Sequence, residues 1–294
     1  MRDHDMKSTK NEKIMSRKVC LVTGATAGIG KITATELSAM GAMLIITGRN
    51  QQKTEDTTQE IIRKTGNPSV SYLLADFSDL GQVRSLASSF KDRHPRLDVL
   101  INNAGTYFNF RKDTPCGVEM TFLVNHLAPF LLTNLLLDPL KASDSGRIVN
   151  VSSESHRQDQ MDFNNLGFQK GYFGFKAYAR SKLANILFTY ELARRLENTD
   201  VTVNALHPGH VATDIWKTNF SFFGPVLKWI MARFALTPEQ GADNSIYLAS
   251  SPELEGTTGK YFIQRVPKPS SPISYDENVA KKLWEISENL AQKC

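Results

Sequence analysis

The amino-acid sequence predicts an α/β protein with a single doubly wound parallel sheet of about seven strands and helices on both faces. Three observations predict it. Short apolar runs alternate with helical patterns from one end of the chain to the other. The intervening helices reach ten or more residues, the length a crossover between parallel strands requires. No internal repeat and no interior linker divides the 294 residues, so one domain is expected.

The strands are read in order. Lys18–Thr23 is the first, followed by a glycine-rich turn and a helix to about Met40. Ala42–Thr47 is the second, with a polar helix to about Thr65. Val70–Ala75 and Leu97–Ile101 are the third and fourth, with a helix between them. Arg147–Val151 is a fifth, Val201–Leu206 a sixth and Lys260–Ile263 a seventh. Between the fourth and fifth lies an apolar helical pattern, Val118–Leu137, broken by Pro129.

Composition narrows the function classes. The chain is 41% hydrophobic and 22% charged, an ordinary globular balance. No run of 18 apolar residues exists, so a spanning helix is not expected. Residues 1–17 lack an apolar core and are expected to form a flexible polar tail rather than a secretory signal, leaving 18–294 as the domain. Residues 1–18 hold six Lys and Arg against three acids, so +3 of the net +5 sits there. The rest is near neutral and shows no basic stripe for nucleic acid. Cys20, Cys116 and Cys294 are scattered and form no metal spacing. They fit a reducing compartment, and a cytoplasmic location is expected.

The chemistry begins at Thr23-Gly24-Ala25-Thr26-Ala27-Gly28-Ile29-Gly30, between the first strand and first helix. Glycines there let the backbone turn tightly and approach a pyrophosphate, and the helix N-terminus offers free N–H groups. The spacing is G-x-x-x-G-x-G, and a purely structural turn is the alternative. Arg49 follows the second strand, nineteen residues after Gly30, where an enzyme using NAD would place a carboxylate. A guanidinium grips a 2′-phosphate, so NADP(H) is favoured over NAD(H). Lys31 adds charge if it points back to the turn.

Tyr178-Ala179-Arg180-Ser181-Lys182 sets a phenol and an amine one helical turn apart. An ammonium nearby favours the phenolate and lowers its pKa, fitting the tyrosine to exchange a proton with a substrate oxygen while hydride moves. Tyr172-Phe173-Gly174-Phe175-Lys176 matches the same pattern. Gly174 and the aromatic crowding make that copy a poor helix interior, so the second copy is preferred. Asn125 lies four residues before Pro129, which has no N–H for its carbonyl, leaving that carbonyl free to hold a water.

TGATAGIG, Asn102-Asn103-Ala104-Gly105, IVNVSS, YARSK and Pro208-Gly209 occur in an order that resembles the short-chain dehydrogenase/reductase family from about Lys18 to the last helix. VNHLAPFLLT, RIVNVSS and SKLANILFTYELARRL resemble its retinol-dehydrogenase-like branch. The resemblance implies a Rossmann fold and a catalytic set of Asn125, Ser153, Tyr178 and Lys182. Ser153 would bond the substrate oxygen, and Asn125 would hold a relay water. Lys182 would also bind the nicotinamide ribose. Implied cofactor contacts are Gly24, Thr26, Gly28, Ile29 and Gly30, then Arg49, Asp76 at the adenine and Phe77. Asn102, Ala104 and Gly105 follow, with Tyr178, Lys182, Pro208, Gly209, Val211 and Thr213. Each polar member also has a structural reading: Ser153 as a strand-end hydroxyl, Asp76 as a helix cap, Asn102 as a turn former.

Segments near 154–177 and 213–238 are expected to cover the substrate. The first holds Phe163, Phe168, Tyr172, Phe173 and Phe175, the second Trp216, Phe220, Phe222 and Phe223. This density suggests a large apolar carbonyl or alcohol. The alternatives are packing on the sheet, a homo-oligomer contact, or Pro225–Phe234 lying on a membrane surface, the last not favoured. Many retinol-dehydrogenase relatives carry an N-terminal anchor, whereas residues 1–17 here are polar. Two other classes share parts of the pattern. A non-catalytic NADPH sensor would need the glycines but not Ser153, Tyr178 and Lys182. A sugar-nucleotide epimerase or dehydratase shares the tyrosine and lysine but usually has another glycine spacing.

Overall fold

Alternation along each strand decides which side chain meets which helix layer. A computed structural model describes residues 13–209 and 237–294. Strand β1 (Val19–Val22) sends Val19 and Leu21 into one apolar cluster and Cys20 and Val22 into the other. Strands β2 (Met43–Gly48), β3 (Val70–Leu74), β4 (Val99–Asn102), β5 (Arg147–Val151), β6 (Thr202–His207) and β7 (Tyr261–Ile263) complete a parallel array in the order β3-β2-β1-β4-β5-β6-β7. The order reverses between β1 and β4, which opens the crevice where such sheets receive dinucleotides.

An eighth strand, β8 (Val266–Pro267), pairs antiparallel with β7 and extends the expected seven. The reversal between them runs through Gln264 and Arg265, both at positive φ (50° and 63°). Such a tight turn normally carries Gly or Asn, and neither residue marks a hairpin there.

Helices α1 (Gly28–Ala39), α2 (Gln51–Thr65) and α8 (Pro238–Ser250) cover one face. The other face takes α3 (Leu80–Arg93), α5 (Ala128–Leu135), α7 (Gly174–Arg195) and α9 (Glu277–Lys293). Short polar side chains set the starts. Asn50 accepts from the Lys53 N–H, and Asp79 from Gly81 and Gln82. No helix among the described residues is long and apolar enough to cross a membrane.

The pattern over Val118–Leu137 is three pieces rather than one helix. A short α4 (Met120–Phe122) opens into a π turn at Leu123–Leu127, and α5 follows. The Ala128 N–H reaches back to the Leu123 carbonyl, five residues away. Pro129, in the first turn of α5, has no N–H to give the Asn125 carbonyl, so the regular helical bonding is interrupted where the turn widens.

Two readings of the sequence are corrected. The tail does not extend to residue 17: Met15 is 3% exposed within the α1/α2/α8 core, and its N–H donates to the Met40 carbonyl at 3.1 Å. The cysteines are not three scattered thiols. Helix α9 ends beside the loop before α4, where Cys294 and Cys116 join as a disulfide with Cα atoms 5.3 Å apart. Cys20 stays a buried thiol, which burial pushes upward in pKa.

Truncating Met15 removes a buried side chain that local structure cannot replace. Met15→Ala is expected to cost about 2–3 kcal/mol in denaturant unfolding with an unchanged m-value. An unchanged midpoint would return residues 13–17 to the tail.

Candidate active site

The strand-to-helix turn is narrow because β4 crowds it. Thr23 Oγ1 donates to the Ile101 carbonyl (3.1 Å) and accepts the N–H groups of Asn103 and Ala104 (3.0 Å each). At Gly24, with φ +64°, an added Cβ would lie 2.9 Å from Ala104 Cα, where none fits. At Gly30 a Cβ would collide with the Asn103 amide and the Gly24 carbonyl. That amide donates to the Thr23 (2.8 Å) and Gly24 (3.1 Å) carbonyls, clamping the loop against β4. Gly28 opens α1 at φ +53°, and no side chain caps the helix at Ala27. Ile29 packs against Ala242 of α8, and Thr26 lies against Gly48 at the end of β2. The first turn of α1 carries no acid, so its N–H groups and positive dipole end suit an anion.

Arg49 follows β2 directly, is exposed, and has no ion pair among the described residues. Lys31 does not turn back to the loop: its amine pairs with Glu60 at 2.6 Å. Asp76 accepts from the N–H (2.9 Å) and hydroxyl (2.8 Å) of Ser78, while Asp79 caps the following helix. Phe77 is buried beside it. Asn102 is turned into the sheet, its amide donating to Thr133 Oγ1 (2.9 Å) and Asn150 Oδ1 (2.8 Å). Ala104 and Gly105 continue that loop along the crevice. Pro208 and Gly209 follow β6, with Gly209 at φ +87°. Val211, Thr213, the expected cover at 213–236 and Pro225–Phe234 lie outside the described residues.

Tyr178 and Lys182 sit on α7 facing the end of β5. The Lys182 amine donates to the Val151 carbonyl at 3.0 Å, and Ser152 Oγ donates to the Lys182 carbonyl at 2.8 Å, fixing helix to strand. The amine lies 5.5 Å from the Tyr178 ring centroid. Both side chains are buried. Burial pushes the phenol up to about 12, against a hydrogen bond with Ser153 that pulls it down. Burial also lowers the Lys182 amine to about 8. Burial thus works against the expected lowering of the phenol by the ammonium, because desolvation opposes the charged form of each group.

Asn125, on the π turn, is held at three points. Its side-chain oxygen accepts from the Thr106 N–H (2.7 Å), and its amide donates to the Thr106 carbonyl and Ser181 Oγ (3.0 Å each). Ser181 Oγ in turn donates to the Tyr178 carbonyl at 2.7 Å. The Asn125 side chain is therefore committed to anchoring Thr106 and Ser181. A Cβ on Gly105 would come within 3.4 Å of Asn125 Oδ1 and 3.6 Å of Lys182 Nζ.

The competing copy falls apart as a pair. Tyr172 precedes α7 and donates its hydroxyl to the Phe108 carbonyl at 3.0 Å, while Lys176 is exposed. Gly174 starts the helix because a Cβ there would strike the Phe108 carbonyl. Sequence reasoning missed Asn103, Thr106, Ser181 and Arg180. Only Ser181 and Arg180 carried a signal, lying inside the Tyr-x-x-x-Lys span. A cavity of about 660 Å³ lies at the N-terminal ends of β5 and β6, beside Ser145, Thr202 and Tyr275, and touches none of the residues above.

Comparison with known proteins agrees with this geometry. The short chain dehydrogenase family matches residues 18–222. Retinol dehydrogenase 14 of Homo sapiens is 43% identical over 290 residues, covering 94% of this chain and 86% of that protein. Retinol dehydrogenase 13 of Homo sapiens is 42% identical over 282 residues, covering 93% and 84%. Among solved structures, a short chain dehydrogenase from Escherichia coli CFT073 complexed with NADPH is 26% identical, with a TM-score of 0.69 over 87% of this chain and 99% of that one. With strand order, glycine turn and the Tyr178–Lys182 pair all in place, the chain belongs to the short-chain dehydrogenase/reductase family of oxidoreductases, in its retinol-dehydrogenase-like branch.

Proposed function

We propose that the enzyme transfers hydride between NADP(H) and an apolar carbonyl or alcohol, with Tyr178 as the acid/base. The observation that carries this is the buried Tyr178–Lys182 pair, with Ser153 bonded to the phenol, at the C-terminal edge of the sheet. The cofactor residues fit the group. Gly24 and Gly30 leave room only for backbone, α1 offers an uncapped N-terminus, and an arginine stands where a carboxylate would repel a 2′-phosphate. When bound, the nicotinamide supplies or accepts the hydride.

The chain's own residues then manage the proton. In the reducing direction Ser153 donates to the substrate oxygen and orients it. The Tyr178 phenol, protonated throughout the neutral range, gives its proton to that oxygen as negative charge develops there. An alkoxide is a stronger base than a phenolate, so the transfer runs downhill even from a phenol near 12. The Lys182 ammonium faces the phenolate so formed and lowers its energy. The Asn125 carbonyl, freed at the π turn, holds the water that returns the proton. Retinol dehydrogenase relatives and the aromatic segment 163–175 support a bulky apolar substrate.

Tyr178→Phe and Lys182→Ala are each expected to reduce kcat by about 10³-fold, a typical general acid–base contribution. Lys176→Ala should retain it. Steady-state NADPH oxidation with a panel of ketones and aldehydes reads both, and loss confined to the Lys176 variant would move the chemistry to the other pair.

Arg49→Ala is expected to weaken NADPH binding by about 1.5–3 kcal/mol, the range for a charged hydrogen bond, and to leave NADH binding unchanged. Equal Kd values for the two cofactors in the unmodified enzyme would contradict the assignment.

A further inference from the structure

Arg180 stands inside the Tyr178–Lys182 span but faces away from it. Two residues along a helix turn the side chain by about 200°. Its guanidinium is enclosed all the same: the side chain is 6% exposed, and that of its partner Asp159 10%. Nε donates to Asp159 Oδ2 at 2.8 Å and to the Gln160 carbonyl at 3.1 Å. Nη1 donates to the Asn165 carbonyl at 2.6 Å and, at the long limit of 3.5 Å, to that of Leu166. The guanidinium carbon lies 3.8 Å from the centroid of the Phe168 ring. One side chain of the catalytic helix thus gathers four points of the segment joining Ser153 to Tyr178, and stacks on a fifth.

The grip extends further. Phe168 takes φ +50°, a conformation a bulky residue rarely holds unless its surroundings fix it. Its ring meets Tyr172 edge-on at 6.1 Å, and the Tyr172 hydroxyl donates to the Phe108 carbonyl at 3.0 Å. From the other side Arg111 Nε donates to the Gly167 carbonyl at 3.0 Å. Phe163 and Leu166 pack on the core that holds Phe122 and Leu123, next to the π turn of Asn125. The result is a continuous wall from residue 159 to Tyr172, whose far end interacts with Tyr107, the ring that meets Tyr178 edge-on at 6.0 Å. Burying a guanidinium is costly unless every donor is met, and here the carbonyls that meet it belong to this wall rather than to the sheet.

We propose that Arg180 is a positioning residue that fixes this wall and thereby sets discrimination in favour of large apolar carbonyls. This rests on the oxidoreductase reading above. Arg180→Lys keeps the charge but loses the planar stack and the fork of donors, and Asp159→Asn weakens the same clamp without touching α7. NADPH-dependent reduction of decanal and of propanal is compared in both variants, with NADPH Kd and amide hydrogen exchange over 159–172.

The expected result is a fall of about tenfold in the decanal-to-propanal ratio of kcat/KM, the size of change a misfitted apolar pocket gives. It should be carried by KM for decanal, with faster exchange over 159–172 and an unchanged NADPH Kd. An unchanged ratio despite faster exchange overturns the selectivity role. Unchanged exchange overturns the clamp itself. Equal losses on both aldehydes with weakened NADPH binding would mean general damage and also overturn the proposal. If the unmodified enzyme binds NADPH but reduces neither aldehyde, the oxidoreductase reading fails first, and this one falls with it.

Discussion

Seating the Lys182 amine against the Val151 carbonyl, out of water, is the constraint around which the catalytic half of the molecule is arranged. Among the described residues no carboxylate neutralises it, and burial alone draws its pKa down to about 8. A group held at such a cost needs a rigid seat. Ser152 fastens the Lys182 carbonyl from β5. About two turns along the same helix, Thr189 accepts from the Asn150 amide at 2.9 Å, and Asn150 accepts from Asn102 on β4. Two strands and α7 are thus joined by polar side chains inside an otherwise apolar layer.

The glycine-turn half follows from the pairing of β1 with β4. Asn103 leaves β4 and closes over the Thr23 and Gly24 carbonyls, so the glycine turn is pinned from the strand that leads to Gly105. Gly105 then leaves open the space beside Lys182 and Asn125. The π turn brings Asn125 to this point, and Ser181 ties it to the carbonyl of Tyr178. The glycine turn, the Asn125 turn and the Tyr178–Lys182 pair are therefore one connected piece, and a shift in the β4 loop would be felt at all three.

Much of this was legible in the sequence because it depends on local rules. Seven strands followed from apolar runs, and the preferred Tyr-x-x-x-Lys copy followed from where a glycine tolerates helix. Pro129 announced a disturbed backbone at Asn125, although its form as a π turn did not follow. What escaped depends on long-range placement. The Cys116–Cys294 disulfide joins residues 178 positions apart, and Met15 is buried only because Met40 and α1 lie over it. β8 needed two non-glycine residues at positive φ, which tertiary contacts impose: Arg265 pairs with Asp243 of α8. The direction of the Tyr178 shift also escaped, since pattern gives the ammonium's proximity but not the loss of water that outweighs it.

Burial, rather than an ion pair, sets the protonation of Lys182. Titration of the Lys182 amine in the cofactor-free enzyme, followed by NMR of a selectively labelled lysine and assigned with Lys182→Ala, tests it most directly. A midpoint near 8 is expected. Because the folded lysine then releases its proton earlier than the unfolded one, stability should rise as pH climbs from about 8 toward the ordinary lysine value of about 10.4. A midpoint at or above that ordinary value would show a solvated or ion-paired amine and contradict the account.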